Sequence, residues 1–327
     1  MRLAKIKPLI IRACLALLIG GSVGAKQSAK RPPIIDVHLH AHGPANWKGP
    51  SPNPVTGKPG PSTADDHMRQ TLAAMTEYNI VKAIVSRPLD AVEQGREAAP
   101  ERILASPNFG RAGVDLYGQP LPTIEALRES FRSGRLNAIG EVHAQYEGLS
   151  PSDPSLDPYF TLAESLDIPV GIHTGTSFPG TPYHGYPCFR LSLGNPLLLE
   201  DVLVRHPKLR VFIAHGGEPW RRETIALMHM YPQVYMDIGT IWLAASFDRP
   251  GIDAWLREML ANGFGGRIMF GTDQMQWPEA IGMAINVIQS SKVVTDEQRR
   301  DIFYNNAARF LRLSQDEIAR HHKADER

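Results

Sequence analysis

Residues 34–42 read IIDVHLHAH. Behind the apolar Ile34-Ile35 pair, Asp36, His38, His40 and His42 occupy every second position. Alternate residues of a β-strand share one face. The stretch therefore predicts an opening strand over 34–39 with His38 and His40 turned to the same side. A first strand that ends in histidines lacks the glycine-rich phosphate turn of a doubly wound nucleotide-binding sheet. The residues that follow decide the architecture. Residues 43–63 are rich in Gly and Pro and read as a long loop, and a helical pattern begins at Ala64. Apolar or β-branched runs then recur at 81–87, 102–109, 137–144, 168–175, 209–217, 234–240 and 266–273. Helical stretches near 90–99, 122–133, 155–166, 195–206, 218–230, 250–262 and 278–290 separate or follow them. Eight alternations of strand and helix predict a single-domain (β/α)8 TIM barrel over residues 34–313, with an extra helix at about 295–313 packed outside it. Residues 314–327 read as a polar, frayed tail.

The 327 residues carry 35 basic and 34 acidic side chains and no long basic run, so the composition gives no support to a nucleic-acid partner. At 43% hydrophobic residues the chain is large enough to build its own core. Residues 1–25 have a basic start, an apolar stretch and small residues at Val23 and Ala25, the pattern of an export signal cleaved near Ala25. The uninterrupted apolar part, Ala13 to Ile19, is far short of the roughly 20 residues that a membrane span needs. The expectation is an exported, periplasmic protein with a linker over 26–33 and no stable membrane anchor. Cys14 lies within the signal, so cleavage leaves Cys188 without a partner for a disulfide.

In a (β/α)8 barrel the C-terminal strand ends share one mouth, where active sites lie. His38 and His40 end strand 1, Glu141 lies on strand 4, and His173, His215 and Asp273 end strands 5, 6 and 8. Arg87, Asn108 and Asp237 reach the same level with weaker claims. Imidazole and carboxylate together suit zinc, manganese or iron. Without a metal, so many buried imidazoles would leave lone pairs unpaired. His42 reads as past the strand end; His67, His143, His206 and His229 read as structural, and His321-His322 as tail.

The motifs DVHLH (36–40), GIHTG (171–175), AHGG (214–217) and GTD (271–273), with NNAARFL at 305–311, resemble the amidohydrolase superfamily. They are most similar to its amidohydrolase-2 branch, which includes aminocarboxymuconate-semialdehyde decarboxylase. The resemblance implies that His38, His40, His173 and Asp273 are metal ligands. It implies that His215 is an acid/base or substrate-polarising group beside a single ion, zinc being expected. Glu141 is open. A carboxylate at its position bridges two ions in phosphotriesterase-like and DNase-like relatives but is not a necessary ligand in decarboxylase-like ones, and an ion pair with Arg87 is the structural alternative. Since the overall similarity follows the one-ion branch, one ion is expected. Related barrels often pair as homodimers, although no surface stripe in this sequence specifies one.

A metal ion lowers the pKa of its bound water toward about 7. With Asp273 as general base and His215 as polarising or acid group, the expected reaction is hydrolysis of an amide, ester or lactone of a small molecule. Non-oxidative decarboxylation is the alternative, and a non-catalytic metal-binding protein stands third. Export favours hydrolysis, because an exported enzyme meets external esters, lactones and amides. Over the mouth, the loop after strand 5 offers Tyr183, His184 and Arg190 for substrate, Arg190 as a carboxylate clamp. Trp277, beyond Asp273, is expected to wall an apolar pocket. Expressed in a Gram-negative host, the protein is expected in the periplasm with an N-terminus near Lys26, which intact-mass measurement checks; a full-length cytoplasmic product would contradict the export signal.

Overall fold

The computed structural model describes residues 31–323, so the expected export signal lies outside the described residues. Eight strands run in chain order: β1 (Ile34–His40), β2 (Ile80–Arg87), β3 (Ile103–Pro107), β4 (Ile139–Val142), β5 (Val170–Ile172), β6 (Val211–Ile213), β7 (Val234–Asp237) and β8 (Ile268–Met269). They pair in parallel in the order β1-β2-β3 and β4-β5-β6-β7-β8. Backbone bonds join the two runs at both seams. Phe109 bridges Val142, and the His143 N–H donates to the Phe109 carbonyl at 2.6 Å. On the other side Val37 N donates to Phe270 O at 2.9 Å and Asp273 N to His38 O at 2.8 Å. The closed sheet is the expected (β/α)8 barrel, and β1 is buried along its whole length, as a strand covered on both faces must be.

The helices are α1 (Ala64–Glu77), α2 (Leu89–Ala98), α3 (Ile124–Arg132), α4 (Asp157–Leu166), α5 (Glu200–Arg205), α6 (Arg221–Met230), α7 (Ile241–Phe247), α8 (Arg249–Ala261), α9 (Ala280–Gln289), α10 (Asp296–Arg300), α11 (Asn306–Phe310) and α12 (Gln315–Lys323). Local signals start several of them. Thr63 caps α1 by accepting from the Asp66 N–H, and Thr295 with Gln298 forms a capping box at α10. The stretch expected as one helix at 295–313 is α10, a π-turn at Asp301–Asn305 and α11. The sequence does not anticipate α7, whose seven residues span only about two turns and so carry little periodicity.

One feature of β1 departs from strict alternation. Its pairing on β2 slips between Ile34 and Ile35 and again between Asp36 and Leu39. Such an irregularity shifts which residues face inward. Ile35 and Val37 thereby join Ile84, Ala138, Phe212 and Met269 in an inner apolar cluster, while His38 and His40 still reach the mouth. Asp36 does not share their site. It accepts bonds from the His38 N–H (2.9 Å), the Thr272 N–H (3.1 Å) and the Thr272 hydroxyl (2.8 Å), locking β1 to the end of β8. Burial drives its carboxyl up to about 7 against these bonds.

Tyr304, Ala307, Ala308 and Phe310 pack on the inner cluster. The polar tail expected after residue 313 is ordered as α12 as far as Lys323. Ile318 packs against the same cluster, Glu317 Oε1 lies 3.4 Å from Lys82 Nζ, and His321 Nδ1 lies 2.8 Å from the Tyr304 hydroxyl. A single anchoring Ile in a charged stretch gives little hydrophobic signal, which is why the sequence reads as tail.

Replacing Asp36 with Ala leaves three donors without their acceptor at the β1–β8 seam. Urea unfolding is expected to show a loss of about 3 kcal/mol, and unchanged stability would contradict the lock.

Candidate metal centre

The strands deliver their ligand-type side chains to one place. His38 and His40 come from β1, Glu141 from β4 and Asp237 from β7; His173, His215 and Asp273 follow β5, β6 and β8. All are buried except His215, which is partly exposed.

Glu141 lies at the centre. Its Oε2 is 3.1 Å from His38 Nε2, 3.0 Å from His143 Nε2 and 3.7 Å from His40 Nε2. Its Oε1 is 2.5 Å from His173 Nδ1 and 3.3 Å from His215 Nε2. Asp273 Oδ1 stands 2.8 Å from His40 Nε2 and 3.5 Å from His38 Nε2. The far sides of the first two imidazoles are held: His38 Nδ1 by Asp237 Oδ2 at 2.7 Å and His40 Nδ1 by Ser86 Oγ at 2.9 Å. Both rings therefore turn Nε2 into the centre, the orientation that a partner on the other nitrogen imposes on a metal-binding histidine.

Asp237 does more than orient His38. Its Oδ1 accepts from the His215 and Gly239 N–H groups, each at 2.8 Å. These bonds fix a turn in which His215 has φ 60° and is followed by Gly216 at φ 57°, and Asp273 also has positive φ, at 49°. Non-glycine residues in this region concentrate at functional sites. Gly239 is required by close approach: a Cβ there would sit 2.9 Å from His215 Nδ1 and 3.1 Å from His38 Nδ1.

The charges answer one another. Burial raises the Glu141 carboxyl, but the imidazoles of His143, His38 and His173 outweigh it and hold it well below its ordinary range. Burial likewise opposes ionisation of Asp273, which His38 and His40 overcome. Burial lowers His38, yet Glu141, Asp237 and Asp273 carry it well above the usual imidazole value. His40 falls to about 3, through burial and then the Arg87 charge.

Two groups overlap on Glu141. His38, His40, Glu141 and Asp273 offer one ligand atom each within 4.8 Å of one another, and Glu141, His173 and His215 do the same. The expected quartet placed His173 with His38, His40 and Asp273; here Glu141 takes that place and His173 lies on its other oxygen. His173 Nε2, His215 Nδ1 and His143 Nδ1 are buried without hydrogen-bond partners. Buried imidazoles and carboxylates clustered within ligand distance of one another fit a divalent cation, and the nitrogen–oxygen donor set suits zinc, manganese or iron.

Several sequence readings change. Glu141 meets imidazoles rather than Arg87, whose guanidinium contacts the Tyr117 hydroxyl. His143, read as structural, touches Glu141 and stacks on His173 with ring centres 5.4 Å apart. Its place in EVH, two residues beyond Glu141, was the available signal. Arg190 is exposed and donates to the Pro187 and Phe189 carbonyls, 2.9 and 2.8 Å away. Tyr183 and His184 are exposed on the same loop. Trp277 donates to Ser51 O at 2.9 Å, and its ring centre is 6.1 Å from that of Trp242. His42 bonds Met275 O at 2.7 Å, outside the cluster.

A (β/α)8 barrel whose mouth gathers imidazoles and carboxylates in this way is the architecture of a metal-dependent barrel enzyme. The chain belongs to the amidohydrolase family: the family model described as Amidohydrolase (Amidohydro_2) matches residues 35–313. Among solved structures it is similar to an uncharacterized TIM-barrel protein, Bb4693, from Bordetella bronchiseptica, with 17% identity, a TM-score of 0.62 and coverage of 86% of this chain and 98% of that one. It is also similar to 2,6-dihydroxybenzoate decarboxylase from Rhizobium, with 13% identity, a TM-score of 0.55 and coverage of 87% and 99%. At these identities the likeness is one of fold. Among curated proteins the chain is 24% identical over 162 residues to Protein fluG of Emericella nidulans, a match that takes in 45% of this chain and only 18% of that protein's length.

Asp237→Asn keeps an acceptor for the two N–H groups but loses the carboxylate facing His38. Competition with a fluorescent chelator is expected to show zinc affinity reduced about 10- to 100-fold in a folded protein; unchanged affinity would show that His38 does not depend on Asp237.

Proposed function

We propose that the protein hydrolyses an amide, ester or lactone bond of a small molecule with a metal-activated water. The observation that carries this reading is Glu141 buried between the His38, His40, Asp273 group and the His173, His215 group, each of which brings its ligand atoms within 4.8 Å of one another. His38, His40, Glu141 and Asp273 are the proposed holders of one zinc ion. Glu141 also reaches His173 and His215, and this sharing is the specific support for a second ion on that side.

When bound at this centre, a divalent ion would supply a water whose pKa is lowered to about 7. The protein supplies the rest. Asp273, the proposed general base, stands at the centre's edge beside His40. His215, whose Nε2 lies 3.3 Å from Glu141 Oε1, holds the proton for the leaving group and polarises the bond under attack. Asp237 and Ser86 keep the two β1 imidazoles from turning. The N-terminal segment supports a periplasmic enzyme that meets external substrates.

The test is hydrolysis of a panel of small esters, lactones and amides, with parallel measurement of carbon dioxide release from aromatic carboxylates. Activity is expected to vanish on chelation, return with zinc, and fall about 1000-fold in Asp273→Asn without loss of folding. Hydrolysis that survives both treatments would overturn the proposal. Carbon dioxide release without hydrolysis would replace it with decarboxylation.

A further inference from the structure

One side of the mouth carries polar groups that the hydrolytic machinery leaves unused. β2, β3 and β4 are consecutive strands: Arg87 ends β2, Asn108 directly follows β3 and His143 directly follows β4. Arg87 pairs in register with Pro107, and Phe109 bridges Val142. Asn108 is completely buried, yet neither its Oδ1 nor its Nδ2 has a hydrogen-bond partner. Native interiors rarely leave both ends of an amide unpaired, and such a group calls for a missing partner.

Arg87 poses the same question with a full charge. Its Nη1 donates to the Tyr117 hydroxyl, while its Nε is buried and unpartnered. Among the described residues no carboxylate forms an ion pair with it. Arg87 is only partly exposed, and a guanidinium that loses water without gaining a counter-charge is costly. Its backbone adds to that cost, because φ is 142°, a region that side-chain-bearing residues rarely adopt. The field of this charge reaches the metal centre. Burial opposes the guanidinium's charge, but Tyr117, Asp273 and Tyr186 carry its pKa above the usual value. Arg87 is thus held by the Tyr117 phenol within electrostatic reach of Asp273 and Tyr186.

We propose that Arg87 and Asn108 form a subsite for a carboxylate of the substrate, distinct from the bond that is cleaved. This deepens the hydrolase reading and rests on it. The guanidinium offers Nε and its outer nitrogens in the geometry that matches a carboxylate, and Asn108 Nδ2 adds a neutral donor. The role assigned by the sequence to Arg190 passes to a residue at the strand end, where the backbone pairs with β3. The substrate class is an ester, lactone or amide that also carries a free carboxylate.

Two measurements on the zinc-loaded protein test this. The first compares kcat/KM for mono-4-nitrophenyl glutarate, which has a free carboxylate, with that for 4-nitrophenyl butyrate, which has none. The wild type is expected to prefer the anionic ester by about 10-fold or more, and Arg87→Met to lose that preference through KM, with part restored in Arg87→Lys. The second is calorimetric titration of glutarate into the same three proteins, expected to show binding weakened about 10-fold or more in Arg87→Met. Equal use of the two esters by the wild type, or a preference that survives in Arg87→Met, overturns the subsite and leaves the hydrolase reading standing. If neither ester is cleaved, the titration decides: glutarate affinity that depends on Arg87 supports the subsite, and no binding, or binding equal in Arg87→Met, overturns it.

Discussion

The carboxylate of Glu141 is buried where only imidazoles can answer its charge. Removing a carboxylate from water is affordable only when partners replace the lost solvation. His38, His143, His173 and His215 supply contacts of 2.5–3.3 Å from four directions. That constraint fixes which strand ends must converge, and so the closure of the barrel, the slip in β1 and the tight turn at His215 become requirements of one site rather than separate features.

The supports for the centre come from several strands. Asp237 on β7 holds a ring from β1 and two backbone donors beyond β6 and β7. Ser86 on β2 holds the other β1 ring. Asp36 joins β1 to the end of β8, so that His38, His40 and Asp273 are placed by one seam. Orientation is thereby built into the sheet, and the loops above the mouth are free to differ. The distinction matters for substrate recognition. Arg190 is on a loop and satisfies itself on neighbouring carbonyls, whereas Arg87 is on a strand end and has no comparable escape.

Much of this is legible in the residues. Eight strands at their expected places follow from short apolar runs separated by helical periods, and the HLH spacing of residues 38–40 brings two imidazoles to one site. Strand-end positions also bring Glu141, His173, His215 and Asp273 to the mouth. What is hidden has physical reasons. The β1 slip depends on pairing across the sheet, so period-two alternation misplaces Asp36 and obscures how Val37 can join the inner cluster. His143 lies past the end of β4, where the strand rule that would align it with Glu141 is not assured, although it does meet Glu141. The α12 helix is held by one Ile, an ion pair to Lys82 and a bond to Tyr304, contacts between distant segments that no local period reveals. Arg87 and Asn108 become conspicuous only when their missing partners are seen.

The most direct test of the account is a crystal structure of the zinc-loaded protein with anomalous diffraction recorded at the zinc edge. It is predicted to show a peak in the barrel mouth within about 2.0–2.2 Å of a Glu141 oxygen, with His38 and His40 nitrogens at similar distances. A peak that makes no bond to Glu141, or no peak in the mouth of a protein that retains its hydrolytic activity, would contradict it.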